Sequence, residues 1–139
     1  MSRILAIDYG LKRTGIAVTD PQKLIASALI TIESPRIFTF LTAYFQKESV
    51  ELILIGDPRN LDDSETHITA DVKRIIRIMQ EKFPSIPVRT VDEKFSSVMA
   101  SRAMLEMGMK KSRRREKGMI DQMAATMMLQ EYLLMNSAQ

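Results

Sequence analysis

The 139-residue chain predicts an α/β fold in a single domain spanning residues 1–139: a mixed five-stranded sheet, three antiparallel strands then two parallel, covered by helices on both faces. Three observations predict it. Three β-prone runs follow one another within the first 32 residues, which suggests a meander. Two further β-prone runs are each preceded by an amphipathic helical segment, and the first of them, Leu52-Ile53-Leu54-Ile55-Gly56, is apolar throughout, as a strand buried on both faces of a parallel arrangement must be. No repeat, low-complexity tract or linker divides the chain, whose 15.8 kDa suffices for a core without disulfide or metal staples.

In order, Ile4-Leu5-Ala6-Ile7-Asp8-Tyr9-Gly10, then Lys12-Arg13-Thr14-Gly15 and Ile16-Ala17-Val18-Thr19, read as strand, tight turn and strand. Residues 25 to 32, close behind Asp20-Pro21, form the third strand. Glu33-Ser34-Pro35 starts a helix on which Ile37, Phe38, Leu41, Tyr44 and Phe45 recur at helical spacing. After the strand at 52 to 56, a polar loop leads to a helix over residues 65 to 83, its apolar face carrying Ile68, Val72, Ile75, Ile76 and Met79, closed by Pro84 and Pro87. Residues 88 to 93 form a short strand ending in acids. Ser96 or Ser97 caps a helix to about residue 107, which Gly108 stops. A last helix over 119 to 135 puts Ala124, Ala125, Met128 and Tyr132 on the face of Asp121.

Composition narrows the chemistry. There is no cysteine and one histidine, His67, so thiolate nucleophiles, disulfides and cysteine zinc sites are excluded and little imidazole chemistry remains. Catalysis would rest on carboxylates, hydroxyls, Lys/Arg and backbone amides, and a metal would be a hard, oxygen-ligated cation such as Mg2+ or Mn2+. With 45% hydrophobic and 27% charged residues, no apolar stretch of about twenty and no signal-peptide pattern at the start, the expected setting is cytoplasmic, with no membrane partner. Net charge is +3, but Lys110, Lys111, Arg113, Arg114, Arg115 and Lys117 crowd one segment, either a solvated run or a grip on phosphates. The eleven methionines, many between 99 and 135, are read as core filling.

Three carboxylates from distant segments carry the functional reading. Asp8 closes the first strand, Glu93 closes the last, and Asp121 lies in the first turn of the final helix. A lone carboxylate beside a sheet is costly unless paired, and three brought to one strand end suit two-metal phosphoryl chemistry. Each also has a plainer explanation: Asp8 as a turn cap, Glu93 as half of an ion pair with Lys94 or displaced as ligand by Asp92, Asp121 as a helix-start acid. Lys12 and Arg13 in the turn, and Arg59 and Asn60 in Gly56-Asp57-Pro58-Arg59-Asn60, are expected phosphate contacts, the latter loop reading equally as a proline-fixed turn. Tyr9 either stacks on a base or packs beside its strand.

These segments resemble the YqgF (RuvX) family of bacterial RNase H-like nucleases. The likeness rests on residues 7 to 18, on Gly56-Asp57-Pro58-Arg59-Asn60 with Asp62, Ser64 and Glu65, on Val91-Asp92-Glu93-Lys94-Phe95-Ser96-Ser97, and on Ile120-Asp121-Gln122-Met123-Ala124-Ala125, covering nearly the whole chain. It implies an RNase H-like fold, an acidic active site onto which Asp8, Glu93 and Asp121 map, and a role in maturing the 5′ end of the small-subunit ribosomal RNA precursor, with Holliday-junction resolution as the alternative. The chain departs from the family pattern at Asp57, commonly apolar, at Asp63, commonly glycine, and at Lys94-Phe95, commonly Arg-Leu, where Lys94 is an expected nucleic-acid contact. Asp57 either adds a ligand or faces solvent.

The leading expectation is thus a divalent-metal-dependent nuclease acting on structured RNA, with pre-rRNA and ribosomal precursor particles as partners, branched DNA as the alternative, and a monomeric or homodimeric state. Two other classes are carried. A non-catalytic nucleic-acid or ribosome-binding module would keep the fold without the chemistry. An actin-like or sugar-kinase-like ATPase would use Asp8, Gly10 and Gly15 as a phosphate loop, but such enzymes close two domains over their nucleotide and this length allows one.

Overall fold

Side-chain alternation sorts the chain onto the two faces of one sheet. The computed structural model describes residues 1–57, 67–92, 105, 108 and 118–137. In order these form β1 (Arg3–Tyr9), β2 (Arg13–Thr19), β3 (Ala26–Glu33), a 3-10 turn (Ser34–Arg36), α1 (Ile37–Lys47), β4 (Val50–Asp57), α2 (His67–Lys82), β5 (Val88–Asp92) and α3 (Met119–Ser137). The strands lie in the order β3-β2-β1-β4-β5. β2 is antiparallel to both its neighbours, and β4 is parallel to both of its own. This is the expected mixed sheet. Of the helix expected between residues 96 and 107 only residue 105 is described, and the loop containing Asp63 lies outside the described residues.

β1 and β4 lie inside the sheet because their side chains allow nothing else. Leu5, Ala6 and Ile7 of β1 and Ile53, Leu54 and Ile55 of β4 are fully buried, so both faces of each strand need cover. On one face, Leu5, Ile7, Ile16, Ile53 and Ile55 pack against Ile37 and Leu41 of α1 and Val72, Ile75 and Met79 of α2. Phe45 and Phe83 join the two helices edge to face, ring centres 4.9 Å apart. The opposite face is lined by Ile4, Ala6, Ala17, Leu52 and Leu54 and is covered by α3 through Ala125 and Leu129. Met79, Met119, Met123 and Met128 are buried, as read from composition, whereas Met135 is exposed.

Pro35 accounts for the one late helix start: it sits in the 3-10 turn, and regular α-helix begins only at Ile37. Asp20 shapes the β2–β3 connection. Its Oδ1 accepts the amides of Leu24 (2.8 Å) and Ile25 (2.7 Å) and its Oδ2 that of Gln22 (3.2 Å), while Lys23 takes a left-handed φ of 60°. These donors, the Ile25 amide foremost, hold the Asp20 carboxyl below its ordinary 3.8.

Candidate active site

The turn after β1 is fastened from below. Ser34, buried at the start of the 3-10 turn, donates to the Gly10 carbonyl, its hydroxyl lies 2.8 Å from that of buried Thr14, and its amide donates to the Lys12 carbonyl at 2.9 Å. Gly10 closes the turn tightly: a Cβ there would lie 2.5 Å from the Arg13 carbonyl oxygen. Asp8 emerges at the end of β1, half-buried, on the same alternation as Ile4 and Ala6 and therefore on the α3 face. Its register partner on β2 is Gly15.

Gly15 is also where α3 lands. A Cβ on Gly15 would fall on the Asp121 carbonyl group and 2.8 Å from the Gln122 amide nitrogen, so only glycine lets the first turn of α3 rest on β2. The helix start is held there by β3. Thr31 donates its hydroxyl to the Gly118 carbonyl at 2.6 Å, and Gly118, with φ of 91°, packs its Cα against the Thr31 side chain. Asp121 thus arrives in the first turn directly over the neighbour of Asp8. Arg13, two residues before Gly15 on the same face, donates Nε to Asp121 Oδ2 at 3.2 Å. Both side chains are partly open to solvent, so this pair orients more than it stabilises.

Of the expected site residues, the structure pairs Arg13 with Asp121 and seats the Asp121 backbone on Gly15, the strand partner of Asp8. Lys12 stands exposed on the same turn. Glu93, Lys94, Arg59, Asn60 and the basic residues Lys110, Lys111, Arg113, Arg114, Arg115 and Lys117 lie outside the described residues. Among the described residues no three acidic or imidazole side chains form a metal-binding group. Asp57 ends β4 opposite Asp92 of β5, on the alternation of Ile53 and Ile55, which is the α1 and α2 face, away from Asp8. Tyr9 packs against the core on that face too, so of its two readings the packing one holds. Burial chiefly, then the charge of Asp71, raises its phenol above 10.0 against the opposing pull of Arg74, and it stays neutral at ordinary pH.

Two parts of this site escaped the sequence. Ser34 read as a helix-start residue, and nothing local marks it as the fastener of a turn 24 positions earlier. Gly15 read as a phosphate-loop or turn glycine, although Gly15 and Ala17 on β2 and Ala124 and Ala125 on the helix were a visible sign of two small surfaces meeting. Both glycines of the supposed phosphate loop are taken up by protein, Gly10 by Arg13 and Gly15 by α3, which removes the basis for an ATP loop.

A mixed five-stranded sheet in the order β3-β2-β1-β4-β5, with α1 and α2 on one face and α3 on the other, is an RNase H-like fold. Among solved structures the chain resembles RuvC of T. thermophilus in complex with a Holliday junction substrate, with a TM-score of 0.62 and 13% identity over 99% of this chain and 96% of that one. It likewise resembles the Fowlpox virus resolvase bound to Holliday junction DNA, at TM-score 0.63 and 12% identity over 96% and 98% of the two chains. At such identities the likeness concerns the fold. The chain belongs to the RuvX family, described as Holliday junction resolvase, whose model matches residues 2–135. A relative from Christiangramia forsetii (strain KT0803), named "Putative pre-16S rRNA nuclease", is 44% identical over 96% of this chain and 98% of its own. One of the same name from Flavobacterium johnsoniae is 46% identical over 96% of each chain.

Proposed function

We propose that this protein is a divalent-metal-dependent nuclease that hydrolyses phosphodiester bonds in structured RNA, in processing of the 5′ end of the pre-16S rRNA. The observation that carries the site is the seating of Asp121 on Gly15, the strand partner of Asp8, which sets two carboxylates from opposite ends of the chain on one face at one strand end. The support for RNA over branched DNA is the name shared by relatives at 44% and 46% identity over nearly the full chain.

Asp8 and Asp121 offer hard oxygen donors, which fit Mg2+ or Mn2+, and Glu93 is the third ligand of the proposal. Bound there, such ions supply an activated water and neutralise the charge that develops on the phosphorus. The chain's own contribution is placement. β1, paired on both sides, holds Asp8 rigidly, and Gly15 fixes the height of Asp121 above it. Arg13 fixes the rotation of the Asp121 carboxylate through Nε and, beside exposed Lys12, gives positive charge to receive the substrate backbone. The basic stretch from 110 to 117 extends that affinity without adding sequence choice. Among the described residues no helix is long and apolar enough to cross a membrane. A cytoplasmic site of action completes the proposal.

The test is metal-dependent cleavage of a pre-16S 5′-leader transcript by the purified protein and by Asp8→Asn. Loss of roughly a thousandfold in rate is expected, the scale of removing one preorganised charge from a phosphoryl-transfer site. Undiminished cleavage by the variant would overturn the assignment. A four-way DNA junction run as competitor separates the alternative: faster cutting of the junction than of the transcript would favour resolution over rRNA processing.

A further inference from the structure

On the β2–β3 side of the same end of the sheet runs a groove of about 570 Å3 that reaches Asp121 through Arg13. Its walls are Leu11 and Lys12 from the β1–β2 turn, Arg13 from the start of β2, Thr31, Ile32 and Glu33 from the end of β3, and Pro35. The volume lies within the range of small-molecule sites. Its far wall is Arg13, whose Nε lies 3.2 Å from Asp121, so whatever fills the groove sits one guanidinium away from the proposed centre.

The lining is of two kinds. Leu11 and Pro35 are its exposed apolar residues, Ile32 being packed on the α1 and α2 core, and Leu11 is 59% exposed at a turn where it covers no core cluster. Lys12 and Arg13 are cationic. A flat apolar group joined to an anion matches that pairing, and a nucleotide is such a group: base on the leucine and proline, phosphate on the lysine and arginine. Glu33, on the remaining rim, repels a phosphate and accepts hydrogen bonds from ring N–H and exocyclic amino groups, which fixes the orientation. Its ion pair with Arg36 is long, 4.0 Å, and well solvated, so the carboxylate loses little by turning to a base. The groove is preformed, since Ser34 ties the carbonyls of Gly10 and Lys12 beneath it, and little ordering is left to oppose binding.

We propose that this groove binds one unpaired nucleotide adjoining the phosphodiester to be cut, so that the protein selects junctions between paired and single-stranded nucleic acid. Leu11 and Pro35 offer apolar surface to the face of a base, and only a base outside a stack has that face free, which is why the nucleotide must be unpaired. The position of the groove next to the scissile bond rests on the nuclease reading, but its occupancy by a nucleotide does not.

The absence of cysteine from the chain makes the test clean. Leu11→Cys introduces a single thiol at the groove, and Met135→Cys introduces one at an exposed position near the end of α3. Alkylation by iodoacetamide is followed in EDTA, without cleavage, with and without a saturating oligoribonucleotide of about ten nucleotides, a length within single-strand site sizes. Single-stranded RNA is expected to slow alkylation of Leu11→Cys by about fivefold or more through lost access, the blunt duplex of the same sequence by less than about twofold, and Met135→Cys to be indifferent to both. Equal protection by the duplex, or none while fluorescence anisotropy reports the strand bound, overturns the groove and leaves the nuclease reading standing. No binding of the strand at all overturns the groove and leaves the nuclease reading to its cleavage test. Protection together with full cleavage by Asp8→Asn would overturn the nuclease assignment alone.

Discussion

The two faces of the sheet are packed by opposite rules. Towards α1 and α2 the side chains are large and branched: Leu5, Ile7, Ile16, Ile53 and Ile55 meet Leu41, Val72, Ile75 and Met79, and burial sets the spacing. Towards the start of α3 they shrink to Ala6, Gly15 and Ala17 facing Ala124 and Ala125, and backbone meets backbone. The first surface supplies stability with tolerance, because flexible side chains absorb small changes. The second supplies position without tolerance, because a backbone carbonyl stands where a Cβ would go. Asp121, a ligand in the proposed site, is carried on the second.

The contrast can be broken from either side. Leu5→Ala, on the large-residue face, is expected to cost about 3 kcal/mol of stability through its cavity, read by urea unfolding, while cleavage per folded molecule stays within about twofold. Gly15→Ala should reverse that pattern. Lifting the first turn of α3 costs about 1–3 kcal/mol in stability, and displacing Asp121 lowers cleavage roughly a hundredfold, so the ratio of the two effects distinguishes the faces. A Gly15→Ala protein with full activity would mean that Asp121 is not positioned by this contact.

Smaller effects sharpen the picture at the turns. Ser34→Ala removes the hydroxyl shared by Gly10 and Thr14 and leaves the Thr14 hydroxyl buried without that partner, for about 1–2 kcal/mol by thermal melting. Asp20 acts only through pH. Its carboxyl is held below 3.8 in the folded chain, so its contribution is complete above that value and is lost as pH falls through the lower folded value. Asp20→Asn should therefore flatten the loss of melting temperature below pH 3.8 and leave the neutral-pH slope unaltered.

The strands and helices were legible because each is written in a local period. The wholly apolar run at 52 to 55 is β4, buried on both faces, and the helical spacing of Ile68, Val72, Ile75, Ile76 and Met79 is the core-facing stripe of α2. Asp8 and Asp121 were legible as polar residues at the ends of apolar patterns, where a carboxylate is costly without a purpose. Asp57 was ambiguous from sequence, and only strand alternation in the assembled sheet assigns it to the face of Ile53 and Ile55. Ser34 and Thr31 were illegible, because their partners, Gly10 and Gly118, are respectively 24 and 87 positions away and a hydroxyl carries no mark of its distant acceptor.

Which residues can bear charge at a strand end, which runs must be covered on two faces and which chemistry is barred by the lack of cysteine all follow from the order of side chains, since each depends on near neighbours and on solvation. That Asp121 stands over Gly15, the strand partner of Asp8, does not. It requires β2 to lie beside β1 with Gly15 opposite Asp8, Asp121 to seat on Gly15, and Thr31 to hold the start of α3 on β3, and the last two are contacts between segments more than 80 residues apart that exist only once the sheet has assembled.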